Sequence, residues 1–255
     1  MKELVHTLPQ YDYLYLGDNA RAPYGSRSFD TVYEYTLQCV KALFEQGCEL
    51  VILACNTASA KALRTIQQKD LPLIDSNKRV LGVIRPTTEI VGNYTKTNEV
   101  GIFATSGTVT SESYLIEIEK FFPQVKVYQE ACPMWVPLIE NNELDGEGAN
   151  YFVEKHVKHL FSLSKNIDTV VLGCTHYPLL KPLIEKHLPQ GVQVLTQGHI
   201  VADGLKDYLT RHPEMEERIS KTNSLNFLTT DSTDLFDSHA YLFFGQDVKS
   251  KHLGL

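Results

Sequence analysis

Short apolar runs alternate with longer stretches of helical spacing along the whole chain, and this alternation limits what it can fold into. Residues 13–16 (YLYL), 49–54 (ELVILA), 80–84, 100–104, 125–128, 169–172 and 192–195 each read as a buried strand, and 226–228 reads as one more near the end. Between them, residues 28–46 carry Val32, Tyr35, Leu43 and Phe44 at helical spacing and stop before Gly47; a second helix runs through Ala60, Leu63 and Ile66. Further helices are predicted over 111–122, with Tyr114, Ile118 and Phe121 on one stripe, and over 151–163 and 179–187. Parallel strands need crossover connections, and helices are the usual ones, so the pattern predicts an α/β fold with largely parallel sheets flanked by helices. There is no low-complexity segment and no fixed-period repeat.

The 255 residues, 43% of them hydrophobic, suffice for two compact lobes or one large domain. A formal charge of −7 argues against nucleic acid and anionic membrane as partners. No apolar run approaches the roughly 20 residues that span a bilayer, and the first ten residues, MKELVHTLPQ, contain no signal-peptide core. A cytoplasmic location is expected. The five cysteines, Cys39, Cys48, Cys55, Cys132 and Cys174, are odd in number, irregular in spacing and without a CxxC. That pattern suits free thiols rather than a disulfide framework or structural zinc.

Two of these thiols share one context. In Val51-Ile-Leu-Ala-Cys-Asn-Thr-Ala-Ser-Ala60 an apolar strand ends in a thiol, an amide and a hydroxyl, and a helix follows. Val170-Val-Leu-Gly-Cys-Thr-His-Tyr-Pro-Leu179 repeats the layout, with Pro178 suited to a first helical turn. Ligands of open α/β sheets bind beyond the carboxyl ends of strands, and helix N-termini there lower thiol pKa values. One such cysteine alone would read as a small buried hydrophobe. Two, one in each half of the chain, make a catalytic pair and a structural pair equally good readings of the residues.

The segments Cys55-Asn-Thr-Ala-Ser and Gly173-Cys-Thr-His-Tyr-Pro resemble the two signature motifs of the glutamate racemases. Gly17-Asp-Asn-Ala-Arg-Ala-Pro-Tyr-Gly25, Gly82-Val-Ile-Arg-Pro86, Ala104-Thr-Ser-Gly-Thr108 and Cys132-Pro-Met-Trp-Val-Pro-Leu-Ile-Glu140 resemble further segments of that family, in the same order. The resemblance implies two similar α/β lobes with the active site between them: residues 1–95 with 197–255, and 96–196. It implies cofactor-independent interconversion of L- and D-glutamate, with Cys55 and Cys174 as opposed acid and base, and a role in supplying D-glutamate for peptidoglycan. By position it makes His176 and Glu140 partners of Cys174. It makes Pro23, Tyr24, Gly25, Asn56, Thr57, Thr105, Thr108, Thr175 and His176 substrate contacts. No cofactor is expected, since no segment reads as a pyridoxal lysine or a phosphate-cradling glycine loop. Glutamate is the implied partner, and a homodimer is left open. Cys39, Cys48 and Cys132 read as structural, Trp135 as core, and Glu112 to Lys120 as a solvated helix face.

In one respect the chain departs from that family, which opens with a strand and a DSG-type loop whose Asp assists the first cysteine. Met1, Leu4, Val5 and Leu8 look like the tail of the helix that follows that loop, with Pro9 ending it. A missing leading strand would leave a gap or an exposed edge in the first sheet. A start assigned at an internal methionine would account for this. The rival expectations are a weakly active or inactive glutamate-binding form, and a racemase for aspartate or a hydantoin.

Overall fold

The computed structural model describes Met1–Leu255. Nine strands are formed: β1 (Tyr13–Gly17), β2 (Leu50–Leu53), β3 (Arg79–Gly82), β4 (Glu99–Ala104), β5 (Lys126–Ala131), β6 (Thr169–Gly173), β7 (Gln193–Leu195), β8 (Leu225–Thr229) and β9 (Ser250–His252). Every pairing among them is parallel. They fall into two groups. The second group is a single sheet in the order β5-β4-β6-β7.

Strand alternation gives that sheet its two cores. Phe103, Val170 and Leu172 point to one side, where they meet Trp135, Ile139 and the helix Glu147–Leu163 through Val153, Val157 and Leu160. Val100, Ile102, Ala104 and Val171 point to the other, against Tyr114 and Ile118 of the helix Ser113–Phe121. Gly101 permits this closeness: a Cβ there would stand 2.6 Å from Leu160 Cδ2. Each large side chain removed from water here contributes about 1.5–3 kcal/mol.

The first group is divided. β1 pairs with β8 and β8 with β9, while β2 pairs only with β3, so β1 and β2 each end a sheet. The same helix, Phe29–Glu45, nonetheless packs against both β1 and β2. Tyr13 of β1 and Leu50 and Ile52 of β2 also lie against one cluster, formed by Leu8, Tyr11, Leu205, Leu209 and Met215. The two half-sheets are therefore clamped between common helices without hydrogen bonds joining them. The consequence shows in burial. β6 is buried throughout, whereas four of the five residues of β1 are only partly buried.

Several sequence expectations needed adjustment. The strand expected over 80–84 stops at Gly82, and Ile84 instead opens the helix Ile84–Thr88, where Pro86 is tolerated in the first turn. Phe121 does not share the buried stripe of Tyr114 and Ile118 but is 36% exposed. The helix expected around Ala60, Leu63 and Ile66 is broken into Asn56–Lys61, Leu63–Thr65, a π turn Ile66–Asp70 and Leu71–Ile74. Pro72 is the physical reason for the π turn: it has no N–H to give and its ring crowds the preceding turn, which widens to accept it. No helix is long and apolar enough to cross a membrane.

Candidate active site

Cys55 follows the carboxyl end of β2 and is the N-cap residue of the helix Asn56–Lys61. Burial pushes its thiol up from the ordinary range. The Ala58 and Thr57 amides and the Thr57 hydroxyl, which bond the sulfur, oppose that rise, and negative charge on Cys174 adds to it. Cys174 follows the carboxyl end of β6 and is 7% exposed. The two sulfurs thus come from different strand groups, and negative charge on Cys174 is felt at Cys55.

The neighbours of Cys174 differ from the expected ones in one respect. The residues after it form a 3-10 turn, Tyr177–Leu180, and the α-helix Lys181–His187 starts only beyond it. An α-helix N-terminus therefore does not stand at this sulfur. A histidine does: His176 Nδ1 lies 3.9 Å from Cys174 Sγ, and His176 Nε2 lies 3.2 Å from Glu140 Oε1. Burial alone would depress the imidazole, but the hydrogen bonds and negative charge of Cys174 and Glu140 prevail and raise its pKa to about 9. Glu140 is the last residue of the helix Trp135–Glu140, whose Trp135 is wholly buried against Phe103 and Tyr177.

Three threonines join the strand groups beside the thiols. Thr57 Oγ1 is 2.9 Å from Thr105 Oγ1 and 3.5 Å from Thr108 Oγ1, and the last two are 3.1 Å apart. All three are buried. The Thr105 hydroxyl also caps the helix Ser106–Thr110 by accepting from the Thr108 amide. The Gly25 loop docks on the same helix, where the Gly107 N–H donates to the Gly25 carbonyl at 2.8 Å. Glycine at 107 permits that approach, since a Cβ there would stand 2.8 Å from the Gly25 carbonyl oxygen. Pro23 and Thr175 are exposed, and neither side chain is tied into the threonine cluster.

Two of the sequence candidates have their side chains engaged elsewhere. Tyr24 donates its hydroxyl to Asp18, which also holds Arg21 at 2.8 Å. Asn56 gives its amide N–H to Gln197 Oε1 at 2.7 Å and accepts from the Tyr114 hydroxyl at 2.8 Å. Gln197 donates in turn to the Val83 carbonyl at 3.0 Å and to the Tyr114 oxygen at 2.9 Å. This buried chain fixes the residue next to Cys55 from three separate elements. Gln197 and Tyr114 escape a reading of the sequence because Tyr114 reads only as one apolar position of its helix stripe and Gln197 lies in no predicted element or motif. Tyr15, whose ionisation is opposed by burial first and then by the Cys55 charge, lies within an apolar strand. All five cysteines are free thiols, and no group of three or more His, Cys, Asp or Glu side chains is arranged to hold a metal ion.

Residues 1–203 match the family model described as Asp/Glu/Hydantoin racemase. The chain is 42% identical over 233 residues to the glutamate racemase of Roseobacter denitrificans, covering 88% of this chain and 83% of that one. It is 35% identical to the glutamate racemase of Streptococcus gordonii, covering 100% of this chain and 93% of that one. Among solved structures, glutamate racemase isoform RacE1 of Bacillus anthracis superposes with a TM-score of 0.89 at 29% identity, over 99% of this chain and 91% of that one. The Francisella tularensis glutamate racemase in complex with D-glutamate gives 0.87 at 30% identity, over 99% and 91%. A fold of parallel sheets flanked by helices, two thiols at the ends of strands from separate sheets and similarity along the whole chain agree: this chain belongs to the Asp/Glu/Hydantoin racemase family of isomerases.

Proposed function

We propose that the chain interconverts L- and D-glutamate, with Cys55 and Cys174 as acid and base on opposite faces of the α-carbon. The thiolate of one cysteine takes the α-proton and becomes a thiol; the thiol of the other gives its proton to the opposite face and becomes a thiolate. No electron is gained or lost, and the roles reverse with the enantiomer. The observation that carries this reading is that the two sulfurs stand at the carboxyl ends of β2 and β6 and that charge on Cys174 disfavours charge on Cys55. Such coupling favours one thiolate and one thiol, the state the reaction needs. The His176 imidazolium favours the thiolate at Cys174, while Thr57 and two backbone amides serve Cys55.

In this reading Thr57, Thr105 and Thr108 offer hydroxyls to the substrate's carboxylates, with Thr175, Asn56 and the backbone of Pro23, Tyr24 and Gly25 completing the walls. Hydrogen bonds to the α-carboxylate stabilise the carbanion-like transition state. The lobes are 1–95 with 197–255, and 96–196. The reaction uses no cofactor, takes place in the cytoplasm and supplies D-glutamate for peptidoglycan; a homodimer is the assembly to be tested. A second reading, slow turnover of bound glutamate, is favoured by the unpaired edges of β1 and β2, since β2 carries Cys55.

The test is α-proton exchange and racemisation of D- and L-glutamate in deuterated water. The chain is expected to place deuterium at the α-carbon of both enantiomers, and Cys55→Ala and Cys174→Ala each to abolish racemisation. Unchanged racemisation in either variant defeats the two-thiol mechanism, and exchange on aspartate in preference to glutamate defeats the substrate assignment.

A further inference from the structure

His176 has a third neighbour besides Cys174 and Glu140. The ring of Phe243 meets the imidazole edge-to-face, with centroids 5.2 Å apart at an interplanar angle of 77°. Phe243 belongs to the helix Thr233–Phe244, which lies between β8 and β9 of the first strand group, whereas His176 follows β6 of the second. This aromatic pair therefore links the two groups at the acid/base machinery itself.

The helix is attached unevenly. Phe236 is its buried residue, packed on Tyr15 and Phe227, and Phe244 packs on Phe227. Leu235, Tyr241, Leu242 and Phe243 are exposed, Phe243 by 39%. Tyr241, Leu242 and Phe243 make a run of exposed apolar side chains, and within it Phe243 is the one whose ring meets His176. The surface it meets is an imidazole with two light holds. One is a long contact to sulfur at 3.9 Å and the other is a contact to an exposed carboxylate at 3.2 Å. The second torsion of histidine is itself soft, so the ring's orientation rests on these two contacts and on whatever else packs against it. An aromatic neighbour in edge-to-face contact restricts that rotation.

We propose that Phe243 is a positioning residue: packed from the first strand group, its ring holds His176 between Cys174 and Glu140. The proposal rests on the two-thiol reading and deepens it. Closing the two strand groups around a substrate then also sets the orientation of the histidine that serves Cys174.

The test reads His176 directly. Its ring resonances, identified by their absence in His176→Gln, are titrated in the full chain and in Phe243→Ala, Phe243→Leu and Phe243→Tyr. With the imidazole held, the titration midpoint stands well above the ordinary histidine value. In Phe243→Ala the freed ring is expected to fall toward that ordinary value by about one pH unit. Leu should fall part of the way, and Tyr should restore the midpoint. Because Phe243 is exposed, the chain should stay folded in each variant, and circular dichroism checks this; Leu serves as the milder test if Ala unfolds. A midpoint unmoved or raised in both Ala and Leu overturns the proposal. In the racemase assay Ala is expected to lower kcat about tenfold with little change in KM, since a small misplacement of a catalytic group is costly. A full chain that does not racemise counts against the reading of function, and the His176 titration still decides the role of Phe243.

Discussion

His176 Nδ1 stands 3.9 Å from the Cys174 sulfur, and titration of this imidazole is expected to govern one limb of the site's pH response. With its pKa raised to about 9, the imidazole is cationic through neutral pH and favours the thiolate beside it. Turnover with Cys174 as base is expected to decline as the pH rises through about 9. His176→Asn should remove that limb and lower kcat by about a hundredfold, within the usual range for an acid/base partner. Stability follows the same sign. The folded value lies above the ordinary 6.5, so the contribution is complete below 6.5 and is lost as the pH rises through about 9. The gap in Tm between the chain and His176→Asn should therefore be wide at pH 6 and nearly closed at pH 10.

The hydroxyls of Thr57 and Thr105, 2.9 Å apart, should behave differently. Each comes from a different strand group, and neither is charged. Thr105→Val keeps the volume but leaves Thr57 and Thr108 with one partner fewer, and it removes a helix cap. The expected cost is about 1–2 kcal/mol of stability, read from the urea midpoint. KM should rise by at least tenfold, because a hydroxyl in this cluster is assigned to a substrate carboxylate. An unchanged KM would mean that the cluster only ties the two groups together.

Asn56 offers a third test. Its side chain is held by Gln197 and Tyr114, so Gln197→Leu leaves the Asn56 N–H without its acceptor and the Tyr114 oxygen without a donor. In a buried network the loss is expected to be about 2–3 kcal/mol, visible as a lower Tm. Cys55 shares a helix turn with Asn56, so the exchange rate with Cys55 as base should fall more than the rate with Cys174 as base. Equal losses in both directions would show that the network supports the fold alone.

How much of this was legible in the sequence depended on whether a feature was local. The strand ends carrying Cys55 and Cys174 were readable because apolar runs, thiols and following turns lie within ten residues of each other. Parallel pairing was readable from the alternation. The 3-10 turn after Cys174 was not, because Pro178 suits the first turn of either kind of helix. Gln197 reaches Asn56 across 141 residues, and Phe243 meets His176 from another strand group. Neither carries any mark in its own neighbourhood. The helix Gln197–Arg211 and the short strand β9 carry no clear sequence signal because polar residues dilute their patterns, and the helix Thr233–Phe244 carries none because its apolar residues do not form one buried stripe, Phe236 alone being buried.

The divided first sheet leads to the last prediction. β1 and β2 both lie under the helix Phe29–Glu45, yet each pairs on one side only. The N–H groups on their free edges have no strand partner, and in a parallel sheet about half of a strand's amides point to each side. In native-state hydrogen exchange the edge amides of β1 and β2 are expected to exchange by local opening, far faster than those of β4 and β6, which are paired on both sides. Supplying a short peptide of alternating valine and isoleucine, with lysines at its ends for solubility, should slow exchange in β1 and β2 while leaving β4 and β6 unchanged. Because β2 carries Cys55, the same peptide should raise the exchange rate at the substrate α-carbon. If β1 and β2 are already as protected as β4 and β6, the two half-sheets close on each other in solution, and the slow-turnover reading loses its support.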